Sequence, residues 1–550
     1  MRNILSVFTK KQSSVRSAAM ILMSMVFASR VLGLIRDRLL AARFAPEELG
    51  VYFAAFRLPN LLFELLVMGA LTSAFIPVFT KYITEQKEKE AWRMASIVIN
   101  VSLVILFIIT LPIIVWTKEL SHLFAPGFSA SEIDTMASYT RFMMVFQVAP
   151  LLIGNFFTGI LQSYRLFLLP ALAPVVYNVG IIIGILVLTP FVGLYAPVIG
   201  VGIGAFLFMA IQIPVLFTVG YRYTPSFQYQ HEGVKEVGKL MGPRTLGLAI
   251  SQIDTTVDLM LASLLGARMV TIFNFAQHLQ QLPIGLFGAT IAQAALPSLS
   301  VASVKDDQEA FKKTIIPALH QIFFFVLPFS VLFIVLRIPI VRLVFGASRF
   351  DWDATVLTGM TLSTFSISLF AQSISQLLAR GFYALYDTKT PVLIGVATIG
   401  INTFLSIFFI QWYKFPIWSL GLSTSIASIL NAGILLLLLD KRIGKFSRSE
   451  LLLPPFKMFL ASLVTGVMLY IPLKLLDQLI FDTTRTFGLI LLTGTAGIIG
   501  LLTYAFFSWV LGVGEVHSFI TLLQKARKPQ SMLLEPAGEV VNGGMTDKVS

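Results

Sequence analysis

The chain has no cysteine, and only 13% of its 550 residues are charged, against about 25% in an ordinary soluble domain. The first absence excludes disulfides, thiolate zinc sites and cysteine nucleophiles. With only five histidines spread along the sequence, a histidine metal cluster is disfavoured as well. The scarcity of charge accompanies a 56% hydrophobic content, more apolar surface than one soluble core can bury. Also missing are a serine-hydrolase elbow, a P-loop, an HExxH helix and an acidic metal motif with a soluble catalytic domain. Neither an enzyme nor a self-contained ATP-driven pump has residues to rest on.

What is present is hydrophobicity in long uncharged runs, such as 97–116, 170–188 and 426–439. Runs approaching about 20 apolar residues read as membrane-spanning helices. A transmembrane strand would instead alternate lipid-facing and lumen-facing residues over about 10 positions. The expected fold is therefore an all-α polytopic membrane protein. Pro, Gly and charge punctuation places fourteen transmembrane helices near 18–42, 49–80, 94–117, 136–163, 168–189, 194–219, 243–266, 269–300, 312–339, 355–383, 390–413, 417–440, 453–475 and 486–512. No small-residue cleavage site follows the first run, which reads as a retained span.

Basic residues fall on alternate connections: Lys10, Lys11 and Arg16; Lys81, Lys87, Lys89 and Arg93; Arg222, Lys235, Lys239 and Arg244; Lys305, Lys312 and Lys313; Lys441, Arg442, Lys445 and Arg448; Lys525, Arg527 and Lys528. The intervening set is poorer: the turn near 189–195 has none, and the loop before Ser129 has only Lys118. By the positive-inside rule both termini are expected in the cytoplasm, and the net charge of +13 reads as loops facing anionic lipid, not nucleic acid. Val234, Val237, Leu240 and Met241 share a face, which suggests a short interfacial helix before the seventh span. The polar tail from Gln530 reads as disordered.

GALTSAFIP at 69–77 and ATIAQAALP at 289–297 lie 220 residues apart, as do Phe53 and Phe273. Six spans separate the two copies, so both enter from one side, a parallel repeat about an axis along the membrane normal. The expectation is two six-helix lobes around a central cavity, 1–222 and 223–446, then a helix pair within 447–512 and a tail, 513–550.

Ionisable groups in hydrocarbon cost roughly 2.5–3.5 kcal/mol each on insertion scales and usually face a cavity or a partner. Here they concentrate in four spans. The first carries Ser29, Arg30, Arg36, Asp37 and Arg38. The second carries Arg57, Asn60 and Glu64 on one face, with Pro59 expected to kink it. The seventh has Ser251, Asp254, Thr255 and Asp258, and the eighth Asn274, Gln277, His278 and Gln281. A shared wet cavity explains four polar stripes. Competing structural readings are snorkelling for Arg38 and Arg43, an ion pair locking Arg57 to Glu64, and a packing role for His278. Asp254 and Asp258, four residues apart, read as a cation site or as a carboxyl kept protonated.

Four segments carry a family resemblance: SRVLGLIRDRLLAARF (29–44), FRLPNLL (56–62), GALTSAFIPVF (69–79) and GFYALYDTKTPV (381–392). With the MGP at 241–243 and the weaker AALPSLS at 294–300, they resemble the MurJ (MviN) lipid II flippases of the MOP exporter superfamily. The resemblance implies alternating access and movement of undecaprenyl-pyrophosphate-linked peptidoglycan precursor from the cytoplasmic to the outer leaflet of the bacterial inner membrane. It also implies association with the cell-wall synthesis machinery and a polyprenyl-tail groove formed by the last two helices. Pyrophosphate binding falls by the same route on Ser29, Arg30, Arg36, Asp37, Arg57 and Asn60, and arginine forks match phosphate oxygens. Where the family commonly has two arginines after PNLL, a later glutamate, and Asp-Arg in the eighth span, this chain has Phe63, Glu64, Met68, Gln277 and His278. Arg36 and Arg57, with His278, then carry more of the headgroup. A sodium ion in some members corresponds to Asp258, Asn402 and Thr424 here. The alternatives are an exporter of another undecaprenyl-diphosphate-linked oligosaccharide, a membrane glycosyltransferase and a silent scaffold. Short outward loops disfavour the glycosyltransferase, and the buried charges disfavour the scaffold.

Overall fold

The computed structural model describes residues 15–68, 74–476 and 486–516. The described residues contain helices and connections without a strand. Numbered in chain order, the principal helices are α1 (Val15–Arg43), α2 (Pro46–Leu66), α3 (Glu88–Val115), α4 (Ala130–Ser163), α5 (Leu168–Val192), α6 (Tyr195–Thr218) and α7 (Glu232–Leu264). They continue as α8 (Ala267–Val304), α9 (Gln308–Val335), the bent α10 (Trp352–Ser366 with Leu369–Ala384), α11 (Lys389–Trp412), α12 (Trp418–Arg442), α13 (Arg448–Leu475) and α14 (Thr486–Val510). Each overlaps one of the fourteen expected spans, with α7 starting eleven residues before the expected 243. Eleven are long and apolar enough to cross a bilayer, twelve with α10 taken as one span. The other two, α1 and α7, have 29 and 33 residues, enough at about 1.5 Å per residue for the roughly 30 Å hydrocarbon layer.

The repeat is visible in the backbone. Glu88–Val115 and Gln308–Val335 start and end 220 positions apart, as do the wide π turns Glu64–Met68 and Ile284–Gly288. Gln86 and Asp306, the left-handed residues that open the way into α3 and α9, keep the same spacing. Since a π turn inserts one extra residue and is uncommon, its recurrence at one offset is hard to obtain by chance. The motif at 69–77 lies mostly outside the described residues, as do the tail and the basic groups Lys10, Lys11, Lys525, Arg527 and Lys528.

Prolines shape the polar helices. Pro59 has no N–H to give the carbonyl of Ala55, and the Thr140 hydroxyl takes that carbonyl at 3.1 Å. The helix breaks just before it, at Phe56, between Pro46–Ala55 and Arg57–Phe63. The expected interfacial helix is not separate: Glu232–Leu264 is continuous. Val237 is buried, and Val234 and Met241 pack against the same apolar cluster, while Leu240 of the expected face is exposed.

Two compact units emerge. One comprises 1–282, 336–371 and 387–435; the other comprises 283–335, 372–386 and 436–550. Within the first, α5 packs on α6 and α1. The α5–α6 crossing is close because Gly180 faces Gly204, where an added Cβ would sit 2.4 Å from the Gly204 Cα; small residues permit such approach in membranes. Within the second, α9 packs on α8 and α13, and α13 on α14.

Candidate functional site

All but one of the proposed site residues with a described partner gather in the first unit around α1, α2, α7 and α8. Asp37 is 1% exposed, and both of its oxygens are used. Arg36 donates to Oδ1 through Nε at 2.9 Å and Nη2 at 2.8 Å. His278 Nδ1 lies 2.8 Å from Oδ2. A carboxylate this deep needs such compensation. On its other side Arg36 gives Nη1 to Asn178 Oδ1 at 3.2 Å, and the Asn178 amide donates to Ser29 Oγ at 3.2 Å. A guanidinium has five N–H donors; three are engaged here. The Arg36 side chain keeps 21% of its surface exposed, so its remaining donors can reach a ligand. The edge of Phe53 contacts the His278 ring at 6.1 Å. Arg30 Nη1 donates to the Gln281 carbonyl at 3.3 Å, which ties α1 to α8.

Arg57 is 8% exposed and turned toward α7. It donates to Thr256 Oγ1 through Nε at 2.9 Å and Nη2 at 2.7 Å, and to the Gln252 carbonyl. Glu64 does not pair with Arg57; it accepts from the side chain of Gln252. Both therefore converge on one residue of α7. Asn60 accepts from Gln147 Nε2 at the long distance of 3.5 Å. Gln277 is half-buried on α8 without a described hydrogen bond.

Asp254 and Asp258 lie one turn apart on α7, and the Asn402 amide of α11 donates to Asp254 Oδ1 at 2.9 Å. Asp258 is 4% exposed. Asp258 Oδ1 and Asn402 Oδ1 are both buried without a hydrogen-bond partner. The orphaned atoms are both oxygens that accept, and a hard cation is the ligand such atoms fit. The Thr424 hydroxyl donates to Leu420 O at 2.9 Å within α12, and its neighbour Ser423 meets Ser406 of α11 at 2.6 Å. Ser251 carries no described side chain.

Beside this cluster one end of the unit is sealed backbone to backbone. A Cβ added at Gly50 would lie 1.8 Å from Ala267 O, and one at Gly127 would lie 2.1 Å from Ser263 O. Thr271 Oγ1 donates to Pro46 O at 2.6 Å. Arg268 binds Glu47 at 3.0 Å, Asp351 at 2.6 Å and Asp353 at 3.2 Å, and this guanidinium holds the Asp351 carboxyl below the usual aspartate range.

Sequence reasoning missed Asn178, Gln252, Thr256 and Arg268. Asn178 was hidden in the run 170–188, although a lone amide in an apolar span is itself a signal of an interhelical partner.

The family model described as "Lipid II flippase MurJ" matches residues 40–490. The lipid II flippase MurJ of Burkholderia cenocepacia is 29% identical over 426 residues, covering 75% of this chain and 81% of the relative. A probable lipid II flippase MurJ of Bdellovibrio bacteriovorus is 28% identical over 516 residues, covering 92% and 96%. Among solved structures, a lipid II flippase MurJ in an inward closed conformation matches with TM-score 0.75 at 26% identity, covering 89% of this chain and 98% of the other. A multidrug MATE transporter of the MOP superfamily, inward-facing, matches with TM-score 0.65 at 15% identity, covering 78% and 98%, a likeness of fold.

Proposed function

The chain belongs to the lipid II flippase MurJ family, and from that premise we propose that it carries lipid II between bilayer leaflets by alternating access, with no bond made or broken. The observation that supports this most directly is the Arg36 guanidinium. It is held in place by Asp37 and Asn178, backed by His278 on Asp37, and still partly exposed. Such a group is oriented before the ligand arrives, so a diphosphate gains charge-assisted hydrogen bonds without the cost of ordering the side chain.

On this reading Arg36 is the first contact of the pyrophosphate, Arg30 and Ser29 flank it on α1, and His278 adds charge when protonated. Arg57, buried against Thr256 and Gln252, contributes only after α2 and α7 shift, which makes it a sensor of the opposite conformation. Asn60, Glu64 and Gln277 complete the lining. Asp254, Asp258 and Asn402 would hold a monovalent cation such as sodium, which would neutralise like charge on α7. Thr424 of α12 would add a hydroxyl oxygen to the same ion.

The distribution of basic residues supports a cytoplasmic position for both termini in the inner membrane. On this reading the contacts at Gly50, Gly127 and Arg268 lie on the outer side and would close that end of the first unit. Association with cell-wall synthesis enzymes follows from the substrate. Native mass spectrometry of the purified protein with lipid II against other undecaprenyl diphosphates tests the assignment. A lipid II adduct that survives competition and is lost in Arg36→Gln supports it. Indifference to the headgroup would move the chain to the export of another diphosphate-linked oligosaccharide.

A further inference from the structure

The connection from α6 to α7 is a strap of irregular backbone laid along α3. Between Gly220 and Glu232 it forms no regular element beyond a turn at 229–230, yet it is tied to α3 at every second residue. The Thr224 N–H donates to Ser96 Oγ at 3.1 Å. The Asn100 amide donates to the Ser226 carbonyl at 3.0 Å, and Arg93 Nη2 to Gln228 Oε1 at 2.6 Å. Extended backbone sends successive side chains to opposite sides, and the aromatic residues between and beyond these ties, Tyr223, Phe227 and Tyr229, are 54%, 61% and 68% exposed. Pro225 among them is exposed as well. At one end the Tyr223 hydroxyl donates to Asn100 Oδ1 at 2.9 Å, and the Tyr221 ring meets Trp92 edge-on at 5.5 Å. At the other end His231 Nε2 lies 3.0 Å from Glu90 Oε2.

What lies beneath the strap determines what faces it. Arg93, Ser96 and Asn100 belong to a stripe of α3 at spacings of three and four residues, and the stripe continues through Val104, Phe107, Leu111 and Val115. The continuation is apolar and exposed, so it is the lipid-facing perimeter of a membrane-spanning helix. The strap covers the same stripe where it turns polar, starting about 6 Å before Val104. From Asn100 out to Arg93 is about 10 Å more, enough to cross a headgroup layer roughly 5–8 Å thick on each side. Aromatic rings gather at this depth because one end is apolar and the other tolerates water. Residues 220–231 contain Arg222 and no acidic side chain, which suits lipid phosphate.

We propose that residues 221–229 are an interfacial anchor: Tyr223, Phe227 and Tyr229 lie in the headgroup layer of the bilayer, with Arg222 toward lipid phosphate. The bilayer then holds the strap on its outward side as α3 holds it on its inward side. His231 carries the hold to α7, because its ring also accepts from the Gly233 N–H in the first turn at 3.2 Å. Lys81 adds a pair with Glu236 at 3.4 Å. The start of the helix that bears Gln252, Thr256 and Asp258 is thereby tethered to the membrane surface.

Fluorescence quenching of the full chain in nanodiscs tests this. A lone cysteine is placed in the cysteine-free sequence and labelled with bimane, at Pro225→Cys in the strap, at Glu88→Cys as a water control or at Ile108→Cys as a hydrocarbon control, all three exposed. Lipid brominated near the headgroup should quench the Pro225→Cys label on the order of twofold, and more than lipid brominated near the chain end. Aqueous iodide should reach it less than it reaches Glu88→Cys. Adding Phe227→Ser and Tyr229→Ser should release the label to water. If the label at 225 is as open to iodide as the one at 88 and untouched by brominated lipid, the proposal falls on that result alone, whether or not the triple variant folds, and the aromatic face is free for a partner in water. Lipid quenching that persists undiminished in a folded triple variant overturns it equally, because the aromatic rings would then not be the anchor.

Discussion

Gly50→Ala is the sharpest perturbation of the sealed end. An added Cβ would sit 1.8 Å from the Ala267 carbonyl oxygen, where real Cβ atoms keep at least 3.0 Å. The start of α2 must therefore retreat by about 1.2 Å or more, a small overpacking of a tight contact. The retreat stretches the Thr271–Pro46 bond of 2.6 Å and the Arg268–Glu47 pair of 3.0 Å. An interhelical hydrogen bond in a membrane averages about 0.6 kcal/mol, and an exposed ion pair about 0.2–1 kcal/mol. Overpacking strain is about 1–3 kcal/mol and dominates the sum. A total of roughly 2–4 kcal/mol changes the ratio of sealed to open states by about 30-fold to 1,000-fold.

Because the chain has no cysteine, spin labels can be introduced without background at Glu48→Cys and Arg349→Cys, both exposed beside the seal. Pulsed-dipolar distances in Gly50→Ala should gain a longer population that is minor in the parent, while the melting temperature confirms folding. An unchanged distribution in a folded variant would refute the reasoning, since it would mean that the backbone contact at Ala267 does not hold this end shut.

Three further outcomes follow. Asn178→Leu removes the amide that bridges Arg36 and Ser29, and should weaken lipid II binding by about 10-fold to 100-fold, from the roughly 1.5–3 kcal/mol of a hydrogen bond to a charged group, with little change in thermal stability. Replacing sodium by choline should lower the melting temperature of the parent, whereas Asp258→Ala, lacking one of the two orphaned oxygens, should melt alike in both salts. The Asp351 carboxyl, held low by Arg268, lends stability that is present above the ordinary aspartate range and disappears as pH falls below it. The Glu48–Arg349 label distance should accordingly stay constant from pH 8 to pH 5 and broaden only in stronger acid, and Asp351→Asn should show the broadening at neutral pH.

The positions of the helices were legible because hydrocarbon imposes long uncharged runs, and the polar stripes of α1, α2, α7 and α8 because charge in such runs has a cost. Which side chains pair was less legible. A regular helix puts Arg57 and Glu64 on one face, but in the fold both are drawn to Gln252 of α7, Arg57 to its carbonyl and Glu64 to its side-chain amide, a partner that spacing within α2 does not reveal. The apolar face of Val234, Val237, Leu240 and Met241 suggests a separate short helix, whereas it opens the continuous α7 and is divided, with Val234, Val237 and Met241 on the α3 side of the protein and Leu240 exposed. Asp254, Asp258 and Asn402 are brought together only by the packing of α7 on α11, a contact across 148 positions that local spacing does not encode. The carboxylates of Asp351 and Asp353 gather at Arg268 for the same kind of reason, through folding of the connection before α10.

Transport itself is the most direct test of the central claim that a preoriented Arg36 receives the diphosphate of lipid II. In proteoliposomes, the parent protein should move fluorescent lipid II from one leaflet to the other, and Arg36→Gln, folded by its melting curve, should fall to the protein-free rate. Equal translocation by Arg36→Gln, or none by the parent under the same conditions, would contradict the account.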